Sequence, residues 1–533
     1  MQAWLLAALA GLLGFLATPP YDQFYLGWVE FVPLLWACRE ASPRLAFLLG
    51  WLSGTLINLG AFYWVYELMV THSGIPPLGA VGLTLFLSAQ QGLRLAIWMG
   101  LARALEERAP RWLLYAVVYT ACEFLYPTIF PLHLSNSQHN CLWTSQAMDL
   151  AGPAGLSFLM IVFQAGLWSL LEKRKANLDT AVGLGVLVAT LVYGGVRVHQ
   201  VEAVMNAAPV LRMAMVENNV GLVETSQDVM GGMQLLQTLA GRATADLIVF
   251  PETSVKTPPP LHWVRGRNDP VLEPVLHYPL GLAALAQSGP YAPQLGYQTP
   301  LLFGTVAIDE EHEGPIPGRP ALYNAAFLVD AQGQVLGTAL KNKLLLFGEF
   351  IPAARYFPWI YTSILDRASC LVPGTEPGVL PFDGHRIGVS ICYEDILPNF
   401  NYRLGRGQPE LLVNLTNDAW FGKTAEPAAH LALAKARAIE LRLYMARSTT
   451  TGISAFIDPL GRVMAQTTTD EPESLEQDLA WMPGGTLFSV IGPGFAWLCV
   501  VVCLVWMVQA RRARSLNPTD TRSSRSDRRA AAE

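Results

Sequence analysis

The chain is short of charge and shorter of cysteine. Only 15 % of its 533 residues are Asp, Glu, Lys or Arg, while 52 % are hydrophobic. A soluble protein is nearer a quarter charged, so this composition excludes a chain that lives wholly in water. Basic residues give no excess either: Lys and Arg total 36 against 42 acidic residues, a net charge of −6. That lack argues against nucleic-acid binding, which needs a basic face. The 7 cysteines are Cys38, Cys122, Cys141, Cys370, Cys392, Cys499 and Cys503. No CxxC pair and no Cys/His cluster has zinc spacing, so neither a metal site nor a disulfide framework is expected. Several sit in apolar runs, where a free thiol behaves as a small hydrophobe. There is no internal repeat, and the length exceeds that of one ordinary domain.

The shortage of charge is local. Apolar stretches near 3–18, 23–38, 45–70, 79–103, 111–127, 153–171, 179–196 and 487–509 predict about eight transmembrane helices. Met1-Gln-Ala-Trp has no positive start, and Pro19-Pro20 follows without a small-residue cleavage site, so the first helix reads as retained. Arg39 and Arg44, then Arg103, Arg108 and Arg111, then Lys173, Arg174 and Lys175 mark every second loop as basic and hence cytoplasmic. The tail after the last span, with Arg511, Arg512, Arg514, Arg522, Arg525, Arg528 and Arg529, joins them. Loops 20–23, 71–78 and 128–152 contain no Lys or Arg. The alternation predicts cytoplasmic termini and an external domain between the last two spans. Inside the spans, Glu67, Arg94 and Glu123 are expensive in lipid and become functional suspects. Glu67 and Arg94 either pair with each other or meet a lipid headgroup.

This divides the chain into a membrane domain at 1–198, a soluble-type domain at 205–484, a closing helix at 487–509 and a basic tail at 510–533, expected to be disordered beyond about 515. In the second region the pattern shifts to short β-like runs: Leu211–Val216, Leu247–Phe250, Leu301–Ile308, Ala325–Val329, Ile387–Ile391, Leu411–Leu415 and Ile453–Ile457. Thr225–Ala240 and Ala428–Leu443 read as helices, and the alternation predicts a layered α/β fold. The long stretches 264–298 and 350–376 read as loops of the kind that form lids.

Three of these strand ends carry chemistry. Leu247-Ile-Val-Phe-Pro-Glu252 delivers a carboxylate. Lys341-Asn-Lys343-Leu-Leu-Leu-Phe-Gly-Glu349-Phe350 sets a lysine ahead of another acid, and Ile387-Gly-Val-Ser-Ile-Cys392-Tyr393-Glu394 ends a buried run on a thiol. A buried thiol resists deprotonation and is a weak nucleophile until it loses its proton. Glu252 can act as its base, and Lys341 can stabilise both the thiolate and the oxyanion of a tetrahedral intermediate. Singly, each residue reads as easily as a core cysteine, a strand cap or a surface lysine. Together they point to acyl chemistry through a thioester.

The same blocks resemble the nitrilase (carbon–nitrogen hydrolase) superfamily. Phe347-Gly-Glu349-Phe350-Ile-Pro352, Asn417-Asp-Ala-Trp420-Phe421-Gly-Lys423, His430…Arg437-Ala-Ile-Glu440, Arg447 and Thr451-Gly-Ile-Ser454 narrow it to the apolipoprotein N-acyltransferase family. The resemblance covers essentially the whole chain. It implies a polytopic α-helical membrane domain plus an extracytoplasmic nitrilase-like αββα sandwich in a bacterial inner membrane. Glu252 is then the general base, Lys341 the oxyanion stabiliser and Cys392 the nucleophile, with Lys343 competing for the lysine role. Glu349 would orient the lysine, and Tyr393 and Glu394 would support the site. Trp420, Phe421, Phe350 and Trp359 are either lipid contacts or plain packing. The implied partners are a phospholipid acyl donor, a diacylglyceryl apolipoprotein acceptor and membrane lipid; no cofactor is needed, and a monomer is expected. Departures from the family pattern fall at Glu217-Asn218-Asn219, at the missing Trp before residue 263, and at Thr450. They leave open a paralogue with another amine acceptor. Rival readings are a membrane-tethered amidase that uses water and a transporter or sensor with a binding domain.

Overall fold

The computed structural model describes residues 1–516 apart from 221–234, 237–238, 241–242, 256–298, 332–334, 352–355, 360–369, 469–470 and positions 20, 72, 317, 347 and 358. The expected loop 264–298, most of helix Thr225–Ala240, much of 350–376 and the tail from 517 lie outside the described residues.

The N-terminal part is a helical bundle: α1 Gln2–Ala17, α2 Val32–Cys38, α3 Pro43–Ala61, α4 Val65–Thr71, α5 Pro77–Ala104, α6 Arg111–Leu125, α7 Leu142–Ser145, α8 Met148–Lys173 and α9 Leu178–Met205. Among the described residues five helices are long and apolar enough to cross a membrane: α3, α5, α8, α9 and a C-terminal one from Gly494. Gln2–Ala17 and Phe24–Cys38 are shorter apolar segments. Three of the expected spans are not single α-helices; in 23–38 a 3-10 turn at Phe24–Trp28 precedes α2. The stretch 45–70 breaks after Ala61, where Phe62-Tyr63-Trp64 turns out of the helix and resumes as α4. The stretch 487–509 splits at Gly492-Pro493, because proline cannot continue a preceding helix. α3 and α5 meet through glycines spaced four apart: a Cβ at Gly54 would lie 2.5 Å from the Gly92 carbonyl oxygen, and one at Gly50 equally close to that of Leu95.

Charge inside the bundle is gathered rather than scattered. Glu30, Arg94 and Glu123 are all buried, and the Arg94 charge acts on both acids. The expected Glu67–Arg94 pair is absent among the described residues; Glu67 is exposed on α4. α4 keeps Val65, Leu68 and Met69 against the bundle core and leaves Glu67 on its exposed side.

The second part holds two six-stranded sheets. The first has the order β12-β1-β2-β3-β4-β5, from β1 Val210–Glu217, β2 Leu247–Val249, β3 Leu301–Glu313, β4 Pro320–Val329, β5 Val335–Leu340 and β12 Glu473–Ala480. The second runs β11-β10-β9-β8-β7-β6, from β6 Gly378–Phe382, β7 His385–Ile391, β8 Leu411–Thr416, β9 Met445–Thr449, β10 Ala455–Ile457 and β11 Val463–Gln466. Strand parity sorts the core, since alternate side chains face opposite ways. Met213, Met215, Leu247, Val249 and Leu328 join Ile387, Val389 and Leu415 in one apolar cluster between the sheets. Their neighbours Ala214, Val216, Ile248, Phe250 and Phe327 pack instead with Leu236 and Ala240 on the other face of the first sheet.

Helices α10 Pro398–Gly405 and α11 Glu426–Leu441 follow the second sheet's central strands, and α12 Leu487–Ile491 and α13 Gly494–Leu516 close the chain. α11 is buried on two sides. Leu431, Ala434, Ala438 and Leu441 pack with the sheets, whereas Leu433, Ala436 and Ile439 belong to the apolar core of the bundle. Arg442, just past α11, ties the parts together: its Nη2 lies 2.7 Å from Asp149 Oδ2 at the start of α8.

Candidate active site

β7 is a buried β-branched run, and its chain direction reverses sharply at Cys392, which takes φ 52°. A non-glycine residue rarely holds this left-handed conformation, and such strain gathers at functional turns. The turn is clamped from below. Glu394 accepts Ile391 N at 2.9 Å on one oxygen, and Asn342 N at 2.6 Å and Lys343 N at 2.9 Å on the other. One carboxylate thus joins the Cys392 turn to the lysine segment. Burial pushes its pKa up to about 7, against the pull of those three backbone donors. Asn414 Nδ2, from β8, donates to the Cys392 carbonyl at 3.1 Å.

Above the turn lies an ionic cluster. Lys341 Nζ is 2.8 Å from Glu349 Oε1 and 3.1 Å from Glu252 Oε1, with Lys341 only 1 % exposed. Lys343 is exposed and outside the cluster, so the geometry separates the two lysines. Asn324 Nδ2 bridges the two acids, at 2.6 Å to Glu252 and 3.1 Å to Glu349. Leu345 N donates to the second Glu349 oxygen at 2.8 Å, and Thr450 Oγ1 to the Glu252 carbonyl at 3.1 Å. Burial, then the neighbouring Glu252 charge, drives the Cys392 thiol well above its usual range, opposed by Lys341 and the Thr416 hydroxyl. Burial also raises Glu252, partly offset by Lys341. Lys341 is held firmly charged: burial works against its proton, but the Cys392, Glu252 and Glu349 charges outweigh it. At rest the arrangement is a thiol beside a carboxylate of raised basicity and a fixed ammonium.

A second cluster backs the same turn. His430 Nε2 lies 2.8 Å from Asp395 Oδ1, and its Nδ1 3.0 Å from Asp418 Oδ1. Arg447 Nη2 reaches Asp418 Oδ2 at 2.9 Å and its Nε reaches Asp395 at 3.4 Å. Burial disfavours the imidazolium, yet the Asp395 and Asp418 charges outweigh it and raise His430 to about 10. Asp418 is drawn down to about 2 by Arg447 and His430 in spite of its burial.

The remaining expected residues divide. Phe421 is buried and packs edge-on against Trp64 of the bundle, ring centres 5.1 Å apart, so it is a docking contact. Trp420 packs against the same core. Tyr393 donates from its hydroxyl to the Ile129 carbonyl. Phe350 lines, with Tyr393, a cavity of about 410 Å³ between Leu344–Leu346 and α5. Trp359 is 55 % exposed. Glu217, one of the departures noted above, is buried; its Oε2 accepts from Ser454 at 2.7 Å, Thr467 at 2.7 Å and Thr449 at 3.2 Å. It ties the end of β1 to the second sheet. Sequence reasoning missed Asn324 and Asn414. Both stand as lone amides in otherwise apolar strands, where Asn is disfavoured, and that was the available signal.

The chain belongs to the carbon–nitrogen hydrolase family: residues 203–480, which hold both sheets and the Glu252, Lys341 and Cys392 cluster, match the carbon-nitrogen hydrolase model. Residues 10–166 match the apolipoprotein N-acyltransferase N-terminal domain, which places the chain as an enzyme of the acyltransferase branch. It is 28 % identical over 530 residues to an apolipoprotein N-acyltransferase of Geobacter metallireducens, covering 96 % of each chain. With that of Chlorobaculum tepidum it shares 29 % over 506 residues, covering 87 % of this chain and 88 % of the relative. With that of Bdellovibrio bacteriovorus it shares 26 % over 537 residues, covering 94 % and 92 %.

Proposed function

We propose that the chain N-acylates apolipoproteins, moving a phospholipid acyl group through Cys392 to the free α-amino group of a diacylglyceryl-cysteine. Glu252 takes the thiol proton as Sγ attacks the ester carbonyl, and Lys341 stabilises the resulting oxyanion. Collapse breaks the ester C–O bond, and the departing lysophospholipid takes the proton from Glu252. The amine then attacks the thioester, Glu252 accepts its proton, and the thiolate leaves and is reprotonated. Glu349 and Asn324 position the lysine and the base. The observation that carries this reading is the contact of one ammonium with two buried carboxylates, beside a thiol on a strained turn.

The site sits on the bundle, and the basic alternate loops support an external placement of the catalytic domain with both termini in the cytoplasm. The short α1, the broken 45–70 stretch and the 15-residue α6 would complete the crossings together with their flanking turns. Intact-mass measurement after incubation with phospholipid tests the chemistry. A hydroxylamine-sensitive acyl adduct should form, vanish in Cys392→Ser, and discharge to N-acyl peptide on adding a lipopeptide acceptor. An adduct that maps to Cys370 overturns the assignment, and release of free fatty acid with no N-acyl peptide favours the amidase-like rival.

A further inference from the structure

We propose that a second cavity, beside the reacting turn, binds the phosphate-bearing headgroup of the acyl donor, with Lys343 as its cation and Glu123 as its hydrogen-bond acceptor. This rests on the acyl-transfer reading above. The cavity measures about 320 Å³ and lies where α6, the 131–133 segment and the start of α8 meet residues 397–400, just past the Cys392 turn.

Its lining is mostly apolar, interrupted by the ionisable side chains of Lys343, Glu123 and His133. Lys343 borders it, and among the described residues no acid pairs with its ammonium. Its backbone is nevertheless fixed, because Lys343 N donates to Glu394 at 2.9 Å. Two residues span at most about 7 Å, so Lys343 stands close to Lys341 without sharing its cluster. A fixed backbone with an unpaired ammonium suits a phosphate better than a carboxylate already neutralised elsewhere. Glu123, in the same lining, is 5 % exposed. Its Oε1 accepts from Leu134 N at 3.0 Å, Tyr119 OH at 3.1 Å and Ser157 Oγ at 3.3 Å. Its Oε2 has no hydrogen-bond partner and faces His133 Nδ1 at 3.2 Å out of alignment. The imidazole stands within ion-pair distance without making an aligned hydrogen bond, and a headgroup N–H or O–H could supply that bond.

The neighbouring cavity of about 410 Å³ is lined by Phe86, Leu87, Leu345 and Phe350, and Tyr393 closes the gap by bonding to Ile129. Thr128 borders both spaces. One space is apolar and its neighbour holds Lys343 and Glu123, a pairing that suits a lipid with a fatty chain and a phosphate.

The test uses the full chain in mixed micelles and follows single-turnover adduct formation from phosphatidylethanolamine, phosphatidylglycerol and phosphate-free diacylglycerol. Lys343→Ala should raise the half-saturating concentration of both phospholipids about tenfold or more and leave diacylglycerol unchanged. Lys343→Arg should restore most of the difference. The isosteric Glu123→Gln should lower discrimination between the two headgroups while still forming adduct. Equal loss on all three donors, or no loss on any, overturns the proposal. So does inhibition by inorganic phosphate that Lys343→Ala relieves without any change in phospholipid affinity, which would assign the site to free phosphate. Failure of the unaltered chain to form adduct from any donor would instead defeat the acyl-transfer reading.

Discussion

The Glu252–Lys341–Glu349 cluster and the Asp395–Asp418–His430–Arg447 cluster lie in one domain, are equally buried, and are built from the same kinds of charge. They differ in balance. In the second, two cations face Asp395 and Asp418, both imidazole nitrogens have partners, and burial, then Asp418, holds the nearby Glu426, 3.5 Å from His430, well above the usual carboxylate range. His430 loses its proton only as pH rises through about 10, and Asp418 gains one only as pH falls to about 2, so their contribution persists across the whole neutral range. In the first, one ammonium serves two carboxylates beside a thiol whose ionisation burial and both carboxylates oppose, and only Lys341 and the Thr416 hydroxyl favour. Balanced charge locks the turn in place, and the unbalanced set is ready to move a proton.

The largest effect should come from breaking the unbalanced set. Glu252→Gln should slow adduct formation on the order of a thousandfold, while Lys341→Met should cost about a hundredfold or more. The two should move thiol alkylation in opposite directions: removing the Glu252 charge lets Cys392 ionise at lower pH, and removing the ammonium pushes it higher. Iodoacetamide labelling across pH reads this directly, and shifts of the same sign would defeat the electrostatic account. Asp418→Asn strikes the balanced set, leaving Arg447 and His430 short of a partner. It should cost about 3–5 kcal/mol in denaturant unfolding and leave the alkylation profile where it was.

The smallest effect concerns Glu217. Burial holds it at about 7, even with three hydroxyls on its Oε2, so the folded chain keeps a proton that the unfolded chain releases above 4.5. Stability from this group is full below pH 4.5 and is lost as pH rises through about 7. Glu217→Gln should flatten that slope by about 2 kcal/mol at most between pH 5 and 8, measured as the pH dependence of Tm.

Much of the unbalanced set could be read from the chain, because Glu252 and Lys341 follow strand ends as Cys392 does, and Glu349 lies in a block of distinctive order. Lys341 and Lys343 could not be told apart by residue type, and only the fold buries the first among the carboxylates while leaving the second exposed. The parts that escaped are those made by tertiary contact. β12, Glu-Ser-Leu-Glu-Gln-Asp-Leu-Ala, is too polar to read as a strand, yet it pairs with β1 over eight residues through its backbone at the sheet edge. The helix break at Phe62 has only Gly60 to mark it inside a long apolar run; it places Trp64 against Phe130 and Phe421. Asn324 earns its place only where two distant carboxylates converge.

Ile396, Phe421, Leu433, Ala436 and Ile439 share one apolar core with the bundle helices. Cutting the chain between its two halves would therefore expose an oily underside directly beneath the nucleophile's turn. The catalytic half is no water-soluble module on a leash. The lipid-embedded helices are its floor, and any attempt to purify it as a free fragment should yield aggregates before it yields turnover.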